Sequence, residues 1–140
     1  MKAAVRSRYG NADAIEVLDV EDPTPGPEEV LVRVHAVSLN ASDWEFLTGS
    51  PAYIRMWGLF KPRHAILGSD IAGTVVSAGS GASRFQPGDE VFGDVLGHFG
   101  GLAEYAALPQ KCLSPKPGEP ASRPGTLPMP CCRGLTGSYG

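Results

Sequence analysis

Apolar and polar residues alternate in short runs along most of the chain. Lys2 to Val5 reads as a first short strand, and Ile15-Glu16-Val17-Leu18-Asp19-Val20 alternates as a half-buried strand does. Asp22-Pro23-Thr24-Pro25-Gly26-Pro27 then interrupts any ladder, because proline supplies no amide donor. Val30 to Leu39 is the longest strand, with Val30, Val32, Val34 and Ala36 on one face and Arg33 and His35 on the other, which makes His35 a surface or rim residue. Asn40 to Leu47 predicts a short helix stopped by Gly49. Pro51 to His64 mixes Tyr53, Met56, Trp57, Leu59 and Phe60 with Arg55, Lys61 and Arg63, and reads as a helical or looped insertion packed on the rest.

Ile71 to Val76 is strand-like, with Gly73 marking a close backbone approach. Pro87-Gly88 signals a turn, after which Val91-Phe92 restarts a strand. Leu102 to Leu108 and Cys112-Leu113 complete the set. Many short strands between turns, with 18 Gly and 13 Pro, predict a mainly β barrel or sandwich with one or two short helices. After Lys116 the prolines and glycines crowd together, so residues 118–140 are expected to form an irregular, poorly ordered tail behind a domain at 1–117.

Composition narrows the function. Hydrophobic residues make up 42% of 140, enough for one cored domain. A net charge of -3 gives no electrostatic case for nucleic acid, even where basic and aromatic residues mix between 51 and 64. No run is long and apolar enough for a membrane span. The first residues lack an apolar export segment, and Cys112, Cys131 and Cys132 form an odd, late set, so a reducing cytoplasm is the expected location.

Chemical motifs are sparse. Gly79-Ser80-Gly81-Ala82-Ser83-Arg84 fails the dinucleotide fingerprint, since Arg84 stands where the third glycine belongs and no helix comes after it. Gly97-His98-Phe99-Gly100-Gly101 lacks the Lys-Ser/Thr of a P-loop. His35, His64 and His98 are scattered, and no Cys-x-x-Cys pair occurs, so no metal site is expected. No Gly-x-Ser-x-Gly elbow supports a hydrolase.

The order of several segments resembles the N-terminal, GroES-like domain of the medium-chain dehydrogenase/reductases. Pro25-Gly26-Pro27-Glu28-Glu29-Val30-Leu31-Val32-Arg33-Val34 is similar to the family's proline turn and long strand. Ser38-Leu39-Asn40-Ala41-Ser42-Asp43-Trp44 resembles the next segment in its quinone-reductase form. Leu67-Gly68-Ser69-Asp70-Ile71-Ala72-Gly73-Thr74-Val75-Val76 resembles the family's core strand. Phe85-Gln86-Pro87-Gly88-Asp89-Glu90-Val91-Phe92-Gly93 is similar to its next turn and strand, and Gly101-Leu102-Ala103-Glu104-Tyr105 to its closing one. The resemblance covers about residues 1–117 and implies a partly open β-barrel.

The resemblance also implies a chemistry. Zinc members place a cysteine where Asn40 stands and Gly-His-Glu where Gly68-Ser69-Asp70 stands, so this chain resembles the zinc-free branch of quinone and enone reductases. Cys132 to Thr136 faintly resembles the segment that carries the third zinc ligand, and one ligand of three makes no site. That branch implies direct hydride transfer from NADPH to a small electron-poor quinone, enone or carbonyl. Asn40, Ser42 and Asp43 are the implied cofactor-side residues: Asn40 at the cleft, Ser42 aligned with the proton-relay hydroxyl of the zinc enzymes, Asp43 orienting the segment. A second reading stays open for them, with Asn40 capping the helix and Asp43 in its first turn.

In the family a junction helix and a Rossmann domain come next, echoed here only by Leu127-Pro128-Met129 and Gly134-Leu135-Thr136. The expectation is therefore a chain that lacks the cofactor domain and is inactive alone, and that self-associates through an exposed junction surface for which Trp57, Leu59 and Phe60 are candidates. The competing expectation is a stand-alone barrel used for binding or assembly, or one without function.

Overall fold

The structure is a computed structural model and describes residues 1–51 and 64–117. The expected insertion, with Trp57, Leu59 and Phe60, and the expected tail at 118–140 lie outside the described residues.

Two antiparallel sheets carry the fold. Strands β1 (Lys2–Arg6) and β2 (Ile15–Asp19) form a hairpin-like pair. Strands β3 (Glu29–Ser38), β4 (Asp70–Ala78), β5 (Glu90–Asp94), β6 (Tyr105–Pro109) and β7 (Ser114–Pro115) form the second sheet, in the order β6-β3-β4-β5-β7. Single bridges, Ala3 to Ala103 and Val5 to Ile66, join the sheets. The fold is mainly β as expected, and among the described residues no continuous ladder closes it into a barrel.

Alternation places the core. Val30, Val32, Ile71, Val75, Phe85, Val91, Leu108 and Leu113 pack on the inner face of the larger sheet. Each buried aliphatic side chain contributes roughly 1.5–3 kcal/mol. Gly73 makes the predicted close approach, since a Cβ there would fall on the Arg33 carbonyl.

The expected common face of β3 holds only for its first half. Val30 and Val32 are buried, Val34 is half-buried and Ala36 is exposed. The register runs Val34 to Gly73 but Ala36 to Ala72, so β3 carries one extra residue, His35, and its alternation shifts there. His35 is exposed. A second irregularity between Leu31 and Val32 places Val76 as the extra residue of β4.

Two strand boundaries also move. Cys112-Leu113 is not a strand: Gln110–Cys112 form a 3-10 turn, Leu113 is core, and β7 begins at Ser114. The last long strand starts at Tyr105 instead of Leu102, because Gly101 and Leu102 donate their N–H groups to the carbonyls of Gly68 and Leu67, at 3.1 and 2.9 Å.

A smaller core lies under the one α-helix among the described residues, α1 (Ala41–Thr48). It gathers Leu47, Leu67 and Phe99 with Phe46 and Leu102, and the Phe46 and Phe99 rings meet edge-on at 4.8 Å. Arg6 is buried beneath it and donates from Nε to the His64 carbonyl at 2.9 Å and from Nη1 to the Phe46 carbonyl. Arg6 thus ties β1 to the helix and to the segment leading into β4.

Candidate functional site

The site forms where β3 hands over to α1. Asn40 is extended, with φ -129° and ψ -178°, and is the N-cap of α1. Its Oδ1 accepts the Ser42 N–H at 3.0 Å and also the Ser42 hydroxyl proton. The Asp43 side chain accepts the Asn40 N–H at 3.1 Å and completes a capping box. At the other end Gly49, with φ 66°, stops the helix as its sequence predicts.

Asp43 is only 5% exposed, and its second oxygen accepts the Gly68 N–H at 2.9 Å. A buried carboxylate is tolerated when such N–H groups satisfy it. Gly68 has φ +94°, and a Cβ on it would sit 2.8 Å from the Leu102 nitrogen and 2.9 Å from the Gly101 Cα. Gly68 is thus held between the helix start on one side and the 101–102 backbone on the other.

Pinning Gly68 also fixes the next two residues. Ser69 is fully buried, and its Oγ accepts one Asn40 Nδ2 proton at 3.0 Å. Asp70, at the head of β4, accepts the other at 2.9 Å through Oδ2. The Ser42 backbone N–H on one side of the Asn40 amide and the Asp70 carboxylate on the other fix its orientation, because each tolerates only one end of it.

Beyond Asp70 lies a shallow hollow of about 510 Å³, floored by Ala36, Ala72 and Ile71 and edged by Ser38, Phe92 and Asp94. Asp70 and Asp94 are register partners across β4 and β5, so two carboxylates share this rim. Leu39 and Trp44, on either side of Asn40, are 67% and 56% exposed, leaving an apolar margin around the polar cluster.

The three residues singled out in the sequence are therefore brought together, with Asn40 and Ser42 at the surface end and Asp43 beneath them. The capping role left open for Asn40 and Asp43 is the one they hold in the fold. The reach of Asp70 to Asn40 was missed. The only signal for it was the alignment of Asn40 and of Ser69, the residue before Asp70, with ligand positions of the zinc enzymes, which says that the segments meet but not which atoms touch. Among the described residues no group of three His, Cys, Asp or Glu side chains is arranged to hold a metal ion.

Residues 26–118 match the family profile described as the alcohol dehydrogenase GroES-like domain. The chain belongs to the medium-chain dehydrogenase/reductases. It is an N-terminal GroES-like domain of their quinone oxidoreductase branch. A chloroplast quinone-oxidoreductase of Triphysaria versicolor is 38% identical over 85% of this chain and 36% of its own length. A chloroplast NADPH-dependent alkenal/one oxidoreductase of Arabidopsis thaliana is 35% identical over 84% of this chain and 31% of its own. The structure of the quinone oxidoreductase from Coxiella burnetii superposes with a TM-score of 0.73 at 27% identity, covering 83% of this chain and 37% of that one. This GroES-like domain thus spans about a third of the length of the relatives it matches.

Proposed function

We propose that the chain is the substrate-side domain of a zinc-independent, NADPH-dependent reductase of quinones, enones or carbonyls. In this reading Asn40 and Ser42 face the nicotinamide end of the cofactor, and Asp43 positions them. The observation that carries it is the 3.0 Å hydrogen bond from Asn40 Nδ2 to Ser69 Oγ. These residues stand where zinc members hold a cysteine and a histidine. A protein zinc site takes thiolate, imidazole or carboxylate. Here a neutral amide and a neutral hydroxyl satisfy each other, and the amide oxygen is already used by Ser42. A resident zinc does not fit that donor set.

A nicotinamide fits it better. The hollow offers a small-residue floor, an apolar margin and a few polar groups at one end, the usual make-up of a site for a flat ring with one polar substituent. No glycine loop among the described residues has the dinucleotide pattern, so the phosphates fall to residues outside this domain. When bound, the reduced nicotinamide supplies the hydride. The part of this chain is to orient the ring against a small electron-poor acceptor and to keep water from both. The names of the two plant relatives, a quinone reductase and an alkenal/one reductase, support that acceptor class.

A domain exchange tests the reading. Residues 1–117 replace the matching segment of the Triphysaria relative, and the hybrid is assayed with NADPH and a quinone. The expected result is NADPH-dependent reduction that a zinc chelator leaves unchanged. A folded hybrid that binds NADPH yet reduces neither quinone nor enone, or that loses activity to the chelator, overturns it.

A further inference from the structure

We infer that the open edge of β2 is a docking site for a basic, extended segment of a partner protein, which adds to the β1-β2 sheet as a third strand. None of its residues belongs to the Asn40 cluster, and the reduction proposed above makes no use of them.

The edge follows from the register. β2 pairs only with β1, with Lys2 opposite Asp19, Ala3 opposite Leu18, Ala4 opposite Val17 and Val5 opposite Glu16. On β1, the Ala4 and Arg6 N–H groups and the Lys2 carbonyl bond away from β2, to Leu102, Ala65 and Glu104. Hydrogen-bonded positions alternate in an antiparallel pair. Ala3 and Val5 therefore bond to Leu18 and Glu16, and the bond from the Val20 N–H to the Met1 carbonyl, at 2.9 Å, keeps the same phase. The N–H and C=O groups of Val17 and Asp19 are left pointing outwards. Among the described residues no strand or loop meets them.

Proline, lysine or a bulge commonly blunts such an edge. β2 has none of these between Ile15 and Asp19, and its register is unbroken. Val17 and Leu18, on its two faces, are 72% and 44% exposed. Only acids guard it. From Asp13 to Glu29 the chain carries Glu16, Asp19 and Glu21 among its acids and no Lys or Arg. Among the described residues Glu16 enters no ion pair, and Asp19 reaches only Lys2, at 3.9 Å. Charges facing each other across strands favour opposite signs and penalise like ones. A second copy of this strand would bring acid against acid, whereas a basic strand is attracted.

Alternation then describes the occupant. Val17 borders a shallow hollow of about 390 Å³, which Ala4, Val34 and Leu102 also line, together with Lys2 and Glu104. The occupant's residue beside Val17 shares that face, so an apolar side chain there covers the hollow. Its neighbour, on the opposite face beside Glu16, is Lys or Arg. Backbone bonds to Val17 and Asp19 hold the strand, and these two side chains select it.

Nuclear magnetic resonance of the full, isotopically labelled chain tests this with two capped hexapeptides, one alternating Lys with Val and one alternating Glu with Val. The Lys peptide should shift the Val17 and Asp19 amide protons and slow their exchange with water roughly tenfold near saturation, while Glu16 and Leu18, already bonded to β1, keep their exchange rates. The Glu peptide should bind about tenfold more weakly at low salt, and high salt should narrow the difference. Glu16→Lys, an exposed change, should bring the two peptides closer together or reverse their order. Equal binding of both peptides to the parent, or an unchanged ratio in Glu16→Lys, overturns the basic partner. Shifts scattered over other acids, with no protection at Val17 and Asp19, overturn the added strand. Protection of these two amides that grows with protein concentration in the absence of peptide means that a second copy takes the edge, which also overturns the proposal.

Discussion

The buried carboxylate of Asp43 accepts the Gly68 N–H at 2.9 Å across 25 residues of sequence, and this bond joins the start of the helix to the head of β4. It makes the site a consequence of two local signals meeting, the cap of α1 and the tight backbone at Gly68.

Replacing Asp43 by Ala removes the acceptor for two backbone N–H groups, those of Asn40 and Gly68, one of them buried. Bonds to a charged acceptor are worth about 1.5–3 kcal/mol each, so a loss of roughly 3 kcal/mol is expected in urea unfolding. Asp43→Asn, which keeps one carbonyl oxygen, should lose less. Equal stability of Asp43→Ala and the parent would contradict the bridging role.

Gly68→Ala and Gly97→Ala separate strain from collision. Both glycines have positive φ, +94° and +89°, but an added Cβ at 68 meets backbone at 2.8 Å whereas at 97 it meets nothing within 4 Å. Gly97→Ala should cost about 1 kcal/mol, the left-handed penalty alone. Gly68→Ala should cost clearly more and displace Ser69 from Asn40. Similar melting temperatures for the two variants would remove the packing argument.

Arg6 gives a prediction about pH. Burial lowers the pKa of its guanidinium below the ordinary arginine value, with Tyr9 acting in the opposite sense. The folded value lies below the unfolded one, so stability from this group rises only as pH climbs through the folded value towards the unfolded one, far above neutrality. Around neutrality both states hold the proton and the contribution is flat. Arg6→Met should therefore destabilise by a constant amount, about 2 kcal/mol for two carbonyls left without a donor, between pH 6 and pH 9. A loss that changes steeply across that range would mean that a different group is responsible.

Much of the fold was legible because it rests on period and punctuation. The strand predicted at Val30 to Leu39 forms at Glu29–Ser38, and the helix predicted from Asn40 to Leu47 forms at Ala41–Thr48, capped by Asn40 and stopped by Gly49. The bulge at His35 was not legible, because an extra residue in one strand is defined only by its partner's register. The start of β6 was misplaced for a similar reason: Gly101 and Leu102 look strand-like, but their N–H groups go to Gly68 and Leu67 and not to a neighbouring strand. At the site, cap chemistry and family resemblance located Asn40, Ser42 and Asp43. The grip of Asp70 on Asn40 joins residues 30 apart in sequence and has no periodic signature.

If the neutral hydrogen-bonded pair of Asn40 and Ser69 takes the place of the metal ligands of zinc relatives, the metal content of the purified full chain reads it out. After expression with zinc supplied and exhaustive dialysis without chelator, elemental analysis is predicted to find no stoichiometric zinc, in the parent and in Asn40→Ala alike. About one tightly held zinc per parent chain, lost in Asn40→Ala or Ser69→Ala, would mean that this pair binds metal and that the zinc-independent reading is wrong.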